Sequence, residues 1–600
     1  MIGRYSMLFL LGALSQIFIF VDNNFSTIFF YYYIALLVML AISLAANATR
    51  ILQYFKAIKR SYYKLLLIVV FLFALLEMLF VQNYHLIYND EYIYMSMAKT
   101  MLLDHLWGIC SFSTAINCVP GTLGFFHQPG GWSLLLAIAF GIFGINIGTA
   151  YATTFAIALV SVLLIFLVSY LIFKDERYAL MSSIALATMP LFMSYSRTSI
   201  PDISVLMFSL LSIMLALIYL EKRDFRIGVS ALLSIAYLMT LKVDAAIIIS
   251  IVAVFIITDG SWLKFNNKRA IIELAILLVI FAIVTFPQIL FIHHSLQDNF
   301  GAAVGLNQSK LSVQNFRSNV MENIQFWFGA FDAVENSGVG YNNFVYHIPF
   351  PLTTTIFAIT GAVGMLVKRR FREFVALFAM FGIIFIFYTS FYAGGFEYGL
   401  GVDSRYFFGD FAVIALFSGF GFVYLYDILK KSVPRFKRSH MSSNRYVLAG
   451  LFAVFMVLPV FQFITITSHS PLTMATYVGE RVDENFILAN YNKIPLNCTV
   501  ITFQPPLWYV NGRANIYATW VNIPEYSHTL ANMSKCMYFD YDLTCYVSSA
   551  DGTGYTNTYT ECNNMLRNYT VESIASQNYT GYSWNVTFHL YKILGRNTTK

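Results

Sequence analysis

The chain has 600 residues, of which 58% are hydrophobic and only 12% are charged. A soluble domain has roughly 45–50% apolar and about 25% charged residues, so this composition excludes a string of soluble domains and predicts a polytopic membrane protein. The formal net charge of +7 does not indicate nucleic-acid binding, because Lys and Arg occur in short clusters between apolar runs, as in the cytoplasmic loops of membrane proteins.

Apolar segments recur along most of the chain. A spanning helix needs about 20 mostly apolar residues, and we expect about thirteen such helices. The first lacks a small-x-small cleavage site, so we interpret it as a helix rather than a signal peptide. The predicted spans are approximately 6–21, 27–46, 64–82, 148–172, 178–195, 203–220, 226–241, 243–258, 270–292, 349–367, 374–393, 406–426 and 446–466.

Basic residues alternate between the connections. They cluster near 50–60, 174–177, 222–226, 264–269, 368–372 and 430–445, whereas the other set of loops holds few. Because cytoplasmic loops carry the excess of Lys and Arg, the richer set and the N-terminus are predicted to be cytoplasmic. The loops 83–147 and 293–348 and the tail from 467 are then extracytoplasmic. Loop 293–348 is too long for a bare connector, which suggests a mobile lid.

The tail, residues 467–600, has the pattern of a small soluble α/β domain. Segments 498–503 and 584–593 alternate β-branched and aromatic residues as strands do. A short helix over 524–535 is expected to lead into an aromatic strand over 536–541.

Cysteines and glycosylation sequons point to the same side of the membrane. Even numbers of cysteines, two in the first external loop and four in the tail, suggest one and two disulfides, with the pairing of the four left open and free thiols as the alternative. Six Asn-x-Ser/Thr sequons in the tail suit a secreted environment. The cysteines are Cys110, Cys118, Cys498, Cys536, Cys545 and Cys562, and the sequons begin at Asn497, Asn532, Asn568, Asn578, Asn585 and Asn597.

Two adjacent carboxylates, Asp90 and Glu91, follow the apolar segment 64–82. They could be a solvated pair or the N-cap of the helix after them. Tyr94 lies four residues after Asp90, on the same helical face. Residues 94–107 are too few for another span, and we expect a helix that lies on the external surface and holds Asp90 over a cavity.

Further polar residues occur at the external ends of the predicted helices. His127 lies in His-Gln-Pro-Gly-Gly, where glycines allow close backbone approach; a plain turn before a surface helix is the alternative. Arg197 and Asp202 flank another external connection, and the simpler interpretation is an ion pair between them. Ionisable groups at membrane depth usually serve function, and four more residues reach the external ends of helices: Lys242, Asp244, Arg405 and Tyr406.

Taken in order, these positions resemble the motifs of the GT-C glycosyltransferases, especially the relatives of protein O-mannosyltransferases and aminoarabinose transferases. Asp90-Glu91 resembles their Asp-Glu motif, His127-Gln128-Pro129 their His-Pro-Pro or Lys-Pro-Pro motif, and Arg405-Tyr406 their Arg-Tyr pair. Gln128 stands where the family has its first proline. The likeness covers roughly 64–430 within a catalytic domain 64–466, while two helices in 1–63 look like an addition.

The resemblance implies transfer of one sugar from a polyprenyl-phosphate (dolichyl-type) carrier to an extracytoplasmic protein, lipid or glycan. Asp90 would be the general base of an inverting displacement, with Glu91 and Tyr94 orienting it. Lys242 and Arg405 would bind the phosphate, and His127, Arg197, Asp202 and Tyr406 would complete the substrate site. A lipid phosphate is already a leaving group, so no cofactor is required, although a divalent metal is not excluded.

Other classes of function stay open on the sequence alone. A polymerase or ligase of lipid-linked glycans would share the carrier chemistry, although a Trp-Trp-Asp motif of oligosaccharyltransferases is missing. A secondary transporter would be expected to show inverted repeats and broken helices in matching halves, which are not evident. A receptor or scaffold is a further alternative. The low charge and the absence of an endoplasmic-reticulum retrieval signal fit a multi-pass protein of an archaeal- or bacterial-type cell membrane better than one of an organelle, whereas the six sequons fit archaea or eukaryotes.

Overall fold

The structure is a computed structural model and describes residues 24–81, 88–124, 128–258, 268–297, 311–328, 350–391, 406–432, 443–469, 478–521, 523–533, 535–548, 555–558, 560–580 and 585–597. The predicted span 6–21 and the candidates His127 and Arg405 lie outside these residues.

The described chain is mostly helical. Its helices are α1 (Phe25–Gln53), α2 (Arg60–Phe80), α3 (Tyr88–Leu103), α4 (Gly131–Phe143), α5 (Ile147–Phe173), α6 (Glu176–Ala187), α7 (Pro190–Tyr195), α8 (Asp202–Lys222), α9 (Phe225–Met239), α10 (Ile248–Thr258), α11 (Lys268–Gln297), α12 (Val313–Trp327), α13 (Leu352–Val367), α14 (Phe371–Thr389), α15 (Phe408–Ser432), α16 (Ser443–Phe452), α17 (Leu458–His469), α18 (Val478–Asn490), α19 (Pro505–Val510), α20 (Pro524–Met533) and α21 (Thr560–Asn568).

Among the described residues, seven helices are long and apolar enough to cross a membrane: α1, α2, α5, α8, α11, α14 and α15. Such helices suit hydrocarbon because each backbone amide is bonded within its own helix. Four more predicted spans correspond to shorter apolar helices, which include α9 and α13.

Two predicted segments are interrupted. The expectation of one helix over 178–195 is wrong, because Pro190 has no backbone donor and begins a separate helix, α7, after a break at Thr188 and Met189. The break expected at 241–244 is present: α9 ends at Met239, and a 3₁₀ turn, Val243–Ile247, precedes α10.

The long connection expected over 293–348 contains regular structure. Helix α11 continues to Gln297, and α12 follows after Ser312, whose side chain caps it by accepting a hydrogen bond from the Asn315 amide. This part is therefore more than a bare connector; the lid expectation also concerns 298–310 and 329–349, which lie outside the described residues.

The C-terminal part is built on a six-stranded sheet. The strands are β1 (Ile109–Cys110), β2 (Phe112–Ser113), β3 (Leu123–Gly124), β4 (Cys498–Thr502), β5 (Ala514–Tyr517), β6 (Cys536–Tyr541), β7 (Tyr546–Ser548), β8 (Tyr555–Thr558), β9 (Tyr569–Thr580) and β10 (Asn585–Arg596). The order in the sheet is β2-β5-β4-β6-β10-β9, with β4 parallel to β5 and β6 and the other pairs antiparallel. Since β2 comes from the first large loop, that loop and the tail form one structural unit.

Three disulfides stabilise this unit, and they confirm the even division of the cysteines between loop and tail. One closes the loop between Cys110 and Cys118, and the tail contains Cys498–Cys536, which joins β4 to β6, and Cys545–Cys562. Each bridge restricts the unfolded chain and so favours the folded state.

Helix α3 is buried rather than laid on an open surface. Its Tyr92 hydroxyl donates to Glu484 of α18 over 2.9 Å. Its Lys99 ammonium donates to the Tyr509 carbonyl of α19 over 2.6 Å, and burial lowers the pKa of Lys99 to about 8. The tail therefore covers the helix that carries Asp90.

Candidate active site

Asp90 and Glu91 lie in the first turn of α3. The helix begins at Tyr88, so Asp90 is inside it rather than at its N-cap. Asp90 is partly exposed, whereas Glu91 is fully buried. The Glu91 Oε2 atom accepts hydrogen bonds from the Ser199 amide at 2.9 Å and the Ser199 hydroxyl at 3.2 Å. The two neighbours thus differ: Asp90 is partly exposed, whereas Glu91 is buried and anchors a loop.

That loop, residues 196–201, joins α7 to α8 and is held from several helices. The Trp132 indole of α4 donates to the Ser199 carbonyl over 2.6 Å, and the Thr154 hydroxyl of α5 donates to the Thr198 carbonyl. The Ser196 hydroxyl donates to Glu77 of α2. These hydrogen bonds, together with those to Glu91 of α3, hold the loop in place from four different helices.

Arg197 does not pair with Asp202, contrary to the simpler interpretation of the sequence. Its Nη1 atom donates to the carbonyl oxygens of Val81 at 3.0 Å and Glu77 at 3.3 Å, at the end of α2. Helix C-terminal carbonyls lack intrahelical partners and attract cations. Arg197 therefore joins the end of α2 to the 196–201 loop.

Asp202 instead pairs with Lys242, forty positions later. The Lys242 ammonium lies 3.1 Å from Asp202 Oδ1 and 3.6 Å from Asp244 Oδ2, and the Lys242 side chain is only 8% exposed. It also lies over the ring of Tyr406, 4.2 Å from the centroid. A buried ammonium needs such partners, because an isolated charge is costly away from water.

Tyr388 completes this cluster. Its hydroxyl donates to Asp244 Oδ2 over 2.8 Å, and its ring stacks on Tyr406 with centroids 5.5 Å apart. No sequence motif points to this tyrosine, which is one of many aromatic residues in apolar helices.

A small cavity of about 40 Å³ lies beside the cluster. Its wall is apolar on the side of α10 and α14 and polar where Asp202, Lys242 and Tyr406 line it.

The Gln-Pro-Gly-Gly stretch contacts the Lys242 corner. The Gln128 side-chain oxygen accepts from the Val243 amide at 3.3 Å, and the Gly131 amide donates to the Thr240 carbonyl at 2.8 Å. A Cβ added at Gly131 would lie 2.3 Å from Thr240 Oγ1. Glycine is therefore required here for close approach, as its place in the motif predicts.

Tyr94 was predicted as a site residue from the sequence, whereas Glu77 was not. Tyr94 is buried, and its carbonyl accepts from Ser133 at 3.1 Å, which ties α3 to α4. Glu77 was missed by the sequence reasoning, although a lone acid in an apolar span is itself a signal.

Within the described residues, no group of three or more His, Cys, Asp or Glu side chains could hold a metal ion.

Comparison with known proteins agrees with the expected class. Residues 127–287, less than half of the chain, match the family model described as dolichyl-phosphate-mannose-protein mannosyltransferase. This stretch includes Arg197, Asp202 and Lys242. The sequence matches no curated protein.

Similar solved structures include the Archaeoglobus fulgidus oligosaccharyltransferase AglB with an inhibitory peptide and a dolichol-phosphate, at 14% identity and a TM-score of 0.51 over 88% of this chain and 74% of that one. The same enzyme tethered to an acceptor peptide has 14% identity and a TM-score of 0.50 over 91% and 75%. ArnT from Cupriavidus metallidurans bound to undecaprenyl phosphate has 11% identity and a TM-score of 0.48 over 88% and 97%.

These findings confirm the resemblance to the GT-C glycosyltransferases. The chain has their fold, and its apolar helices mark it as a membrane protein. Its family match, over 127–287, is to the protein mannosyltransferases.

Proposed function

We propose that this protein transfers a single sugar from a polyprenyl-phosphate donor to an extracytoplasmic protein, lipid or glycan. The observation that carries the proposal is the 196–201 loop, which joins two polar groups expected to act in one reaction. Glu91, beside Asp90, accepts hydrogen bonds from Ser199 of this loop, and Asp202, which pairs with Lys242, directly follows the loop in the chain.

In the proposed reaction, Asp90 accepts the proton of the acceptor hydroxyl. The hydroxyl oxygen then forms a bond to the anomeric carbon of the donor sugar. The bond from that carbon to the phosphate oxygen breaks, its electron pair leaves with the polyprenyl phosphate, and the anomeric configuration inverts. A positioned general base of this kind contributes typically 10²–10⁴-fold to a rate.

Cations are proposed to receive the phosphate. Lys242 lines the cavity and contacts Asp202 and Asp244, and Arg405 precedes Tyr406, over whose ring Lys242 lies. Arg405 would give two parallel hydrogen bonds to a phosphate and Lys242 a compact charge. His127 and Arg197 would complete the charge around the leaving group, and no metal ion enters this scheme.

The architecture proposed around this site follows the loop charges. Residues 1–63 form an added N-terminal part, residues 64–466 form the catalytic domain, and these two parts together contain about thirteen spans. Residues 467–600 form an extracytoplasmic α/β domain. The N-terminus is cytoplasmic, and the six tail sequons are available for glycosylation. In support, Asn497, Asn568, Asn578 and Asn597 are exposed among the described residues.

The proposal is tested by mass spectrometry of glycoconjugates from cells that lack this protein and from the same cells complemented with it. We expect one class of glycoconjugate to lose a single sugar in the deletion strain and regain it on complementation. Loss of an entire chain would identify a ligase or polymerase of lipid-linked glycans, and an unchanged glycan profile with altered solute uptake would identify a transporter.

A further inference from the structure

Glu77 is a buried acid in a helix that otherwise consists of apolar residues after Lys64. It lies one turn before the end of α2 and is 0% exposed. A carboxyl group removed from water is costly unless hydrogen bonds or charges compensate for it. Its presence in a membrane-type helix therefore indicates a specific task rather than solubility.

The contacts of Glu77 lead to one place, the start of the 196–201 loop. Its Oε2 atom accepts from the Ser196 hydroxyl, and its backbone carbonyl accepts from the Arg197 guanidinium at 3.3 Å. Its other carboxyl oxygen, Oε1, is buried and has no hydrogen-bond partner in the part of the chain that the structure describes. The side chain is thus held on one side only, by the loop.

Glu91 holds the same loop three residues later. The amide and hydroxyl of Ser199 both donate to its carboxylate. The short segment from Ser196 to Ser199 is therefore fastened at each end by a buried carboxylate, from the two consecutive helices α2 and α3. Two anchors so close in sequence leave the segment little freedom to shift.

We propose that Glu77 is a positioning residue that, together with Glu91, sets the 196–201 loop between the Asp90 end and the Lys242 end of the site. The proposal rests on the function proposed above, since only then does the loop's position affect a transfer rate. Misplacing reacting groups by about 1 Å can cost on the order of 10²-fold in rate. Glu77 would act through the loop and would not touch either substrate.

The test compares Glu77→Ala, Glu77→Gln and Ser196→Ala in the full-length protein, with Ser212→Ala as the control. Ser212 is fully buried and shares a 2.9 Å hydrogen bond with Ser234 between α8 and α9, away from the loop. Hydrogen–deuterium exchange of the loop amides, kcat, the donor KM and the thermal unfolding midpoint are measured for each variant.

We expect Glu77→Ala to speed exchange at the Ser199 amide and to lower kcat by about 10-fold to 100-fold, with the unfolding midpoint changed no more than in Ser212→Ala. Glu77→Gln retains an acceptor for Ser196 and should recover most of the loss. Because both partners belong to one contact, the Glu77→Ala/Ser196→Ala double variant should lose less than the product of the single effects.

The positioning role would be overturned if the loop amides exchanged at an unchanged rate in Glu77→Ala. It would also be overturned if the loss of kcat in Glu77→Ala and in Ser212→Ala tracked the unfolding midpoint in the same way. If the unmodified protein transfers no sugar while Glu77→Ala still loosens the loop, the proposed function fails and the structural part of this inference stands. If the unmodified protein transfers sugar and Glu77→Ala matches it in both exchange and kcat, only the inference fails.

Discussion

Lys242 lies between two carboxylates in a place that water hardly reaches. Its partner Asp202 is 3% exposed by side chain, and the second carboxylate, Asp244, is 21% exposed. Removing one member of a buried pair leaves the other charge without compensation, which costs far more than breaking a solvated pair.

We therefore expect Lys242→Met to lower the free energy of unfolding by about 3 kcal/mol. Denaturant unfolding in detergent measures this, and binding of polyprenyl phosphate should weaken in the same variant. The control is Lys174→Met, whose partner Glu221 lies at 2.8 Å but whose side chain is 53% exposed; a change of at most about 1 kcal/mol is expected there. Equal effects in the two variants would contradict the special role of the buried pair.

The residues of this site could be predicted from the sequence better than their partners could. Asp90, Lys242 and Asp202 stand out because acids and bases are rare in apolar segments. The pairs that they form could not be predicted in the same way. Asp202 is only five positions from Arg197 in the sequence, and yet it contacts Lys242, which follows the end of a different helix. Pairing across helices depends on packing that periodicity does not encode.

At the level of the elements, helices α13 and α15 approach each other closely at glycine residues. A Cβ added at Gly361 of α13 would lie 1.9 Å from the Phe417 carbonyl oxygen of α15, and one added at Gly421 would lie 1.9 Å from that of Phe357. Small residues allow this backbone approach, as is common between helices in membranes. The contact fixes the position of α15, which begins two residues after Tyr406.

We expect Gly361→Ala to lower the thermal unfolding midpoint, because the clashing atoms are backbone and can yield only by separating α13 from α15. Gly382→Ala in α14 is the matched control, since nothing lies within 4 Å of its added Cβ. Thermal unfolding in detergent compares the two. A midpoint for Gly361→Ala as high as that of the control would show that the helices do not approach this closely.

Element boundaries were predictable where the chain carries a local signal. The break at 241–244 follows from charged residues inside an apolar run, and Pro190 was an equally local signal for the break in 178–195. Helix α12 was not predicted as a span, because more than half of its residues are polar, although its apolar residues recur at helical spacing, at Val313, Phe316, Val320, Ile324 and Trp327.

At the scale of the whole molecule, the tail and the first large loop share one sheet. Alternating residues predicted the strands β4 and β10, but a two-residue strand such as β2 is too short to leave a pattern. Its pairing with β5 joins residues some 400 positions apart, Ser113 with Asn515. Contacts of this range arise from the fold as a whole.

The tail also contains three fully buried aspartates, Asp483, Asp540 and Asp542. Burial, with the neighbouring carboxylates, raises the pKa of Asp483 and of Asp540 well above the usual value. Burial likewise raises the pKa of Asp542, to about 6, although hydrogen bonds from Thr544 oppose the shift. The folded tail thus binds protons that the unfolded chain releases.

The sign of the resulting pH dependence follows from linkage. An unfolded aspartate has a pKa near about 3.9, so the contribution of Asp542 is fully present below that pH and is lost as the pH rises through about 6. We expect the thermal unfolding midpoint of the full chain, monitored by the fluorescence of the tail, to fall as the pH is raised from 4 to 8. Asp542→Asn should flatten this fall, and an identical slope in that variant would contradict the assignment.

Asp90, as the general base, is the central residue of the proposed mechanism. Its direct measurement is the rate of transfer from labelled polyprenyl-phosphate sugar by Asp90→Asn, alongside donor binding and Glu572→Gln, a change at an exposed acid on β9. We predict a loss of about 10²–10⁴-fold in rate for Asp90→Asn, with donor affinity retained and the Glu572→Gln rate unchanged. Transfer by Asp90→Asn at the rate of the unmodified protein would contradict the proposed mechanism.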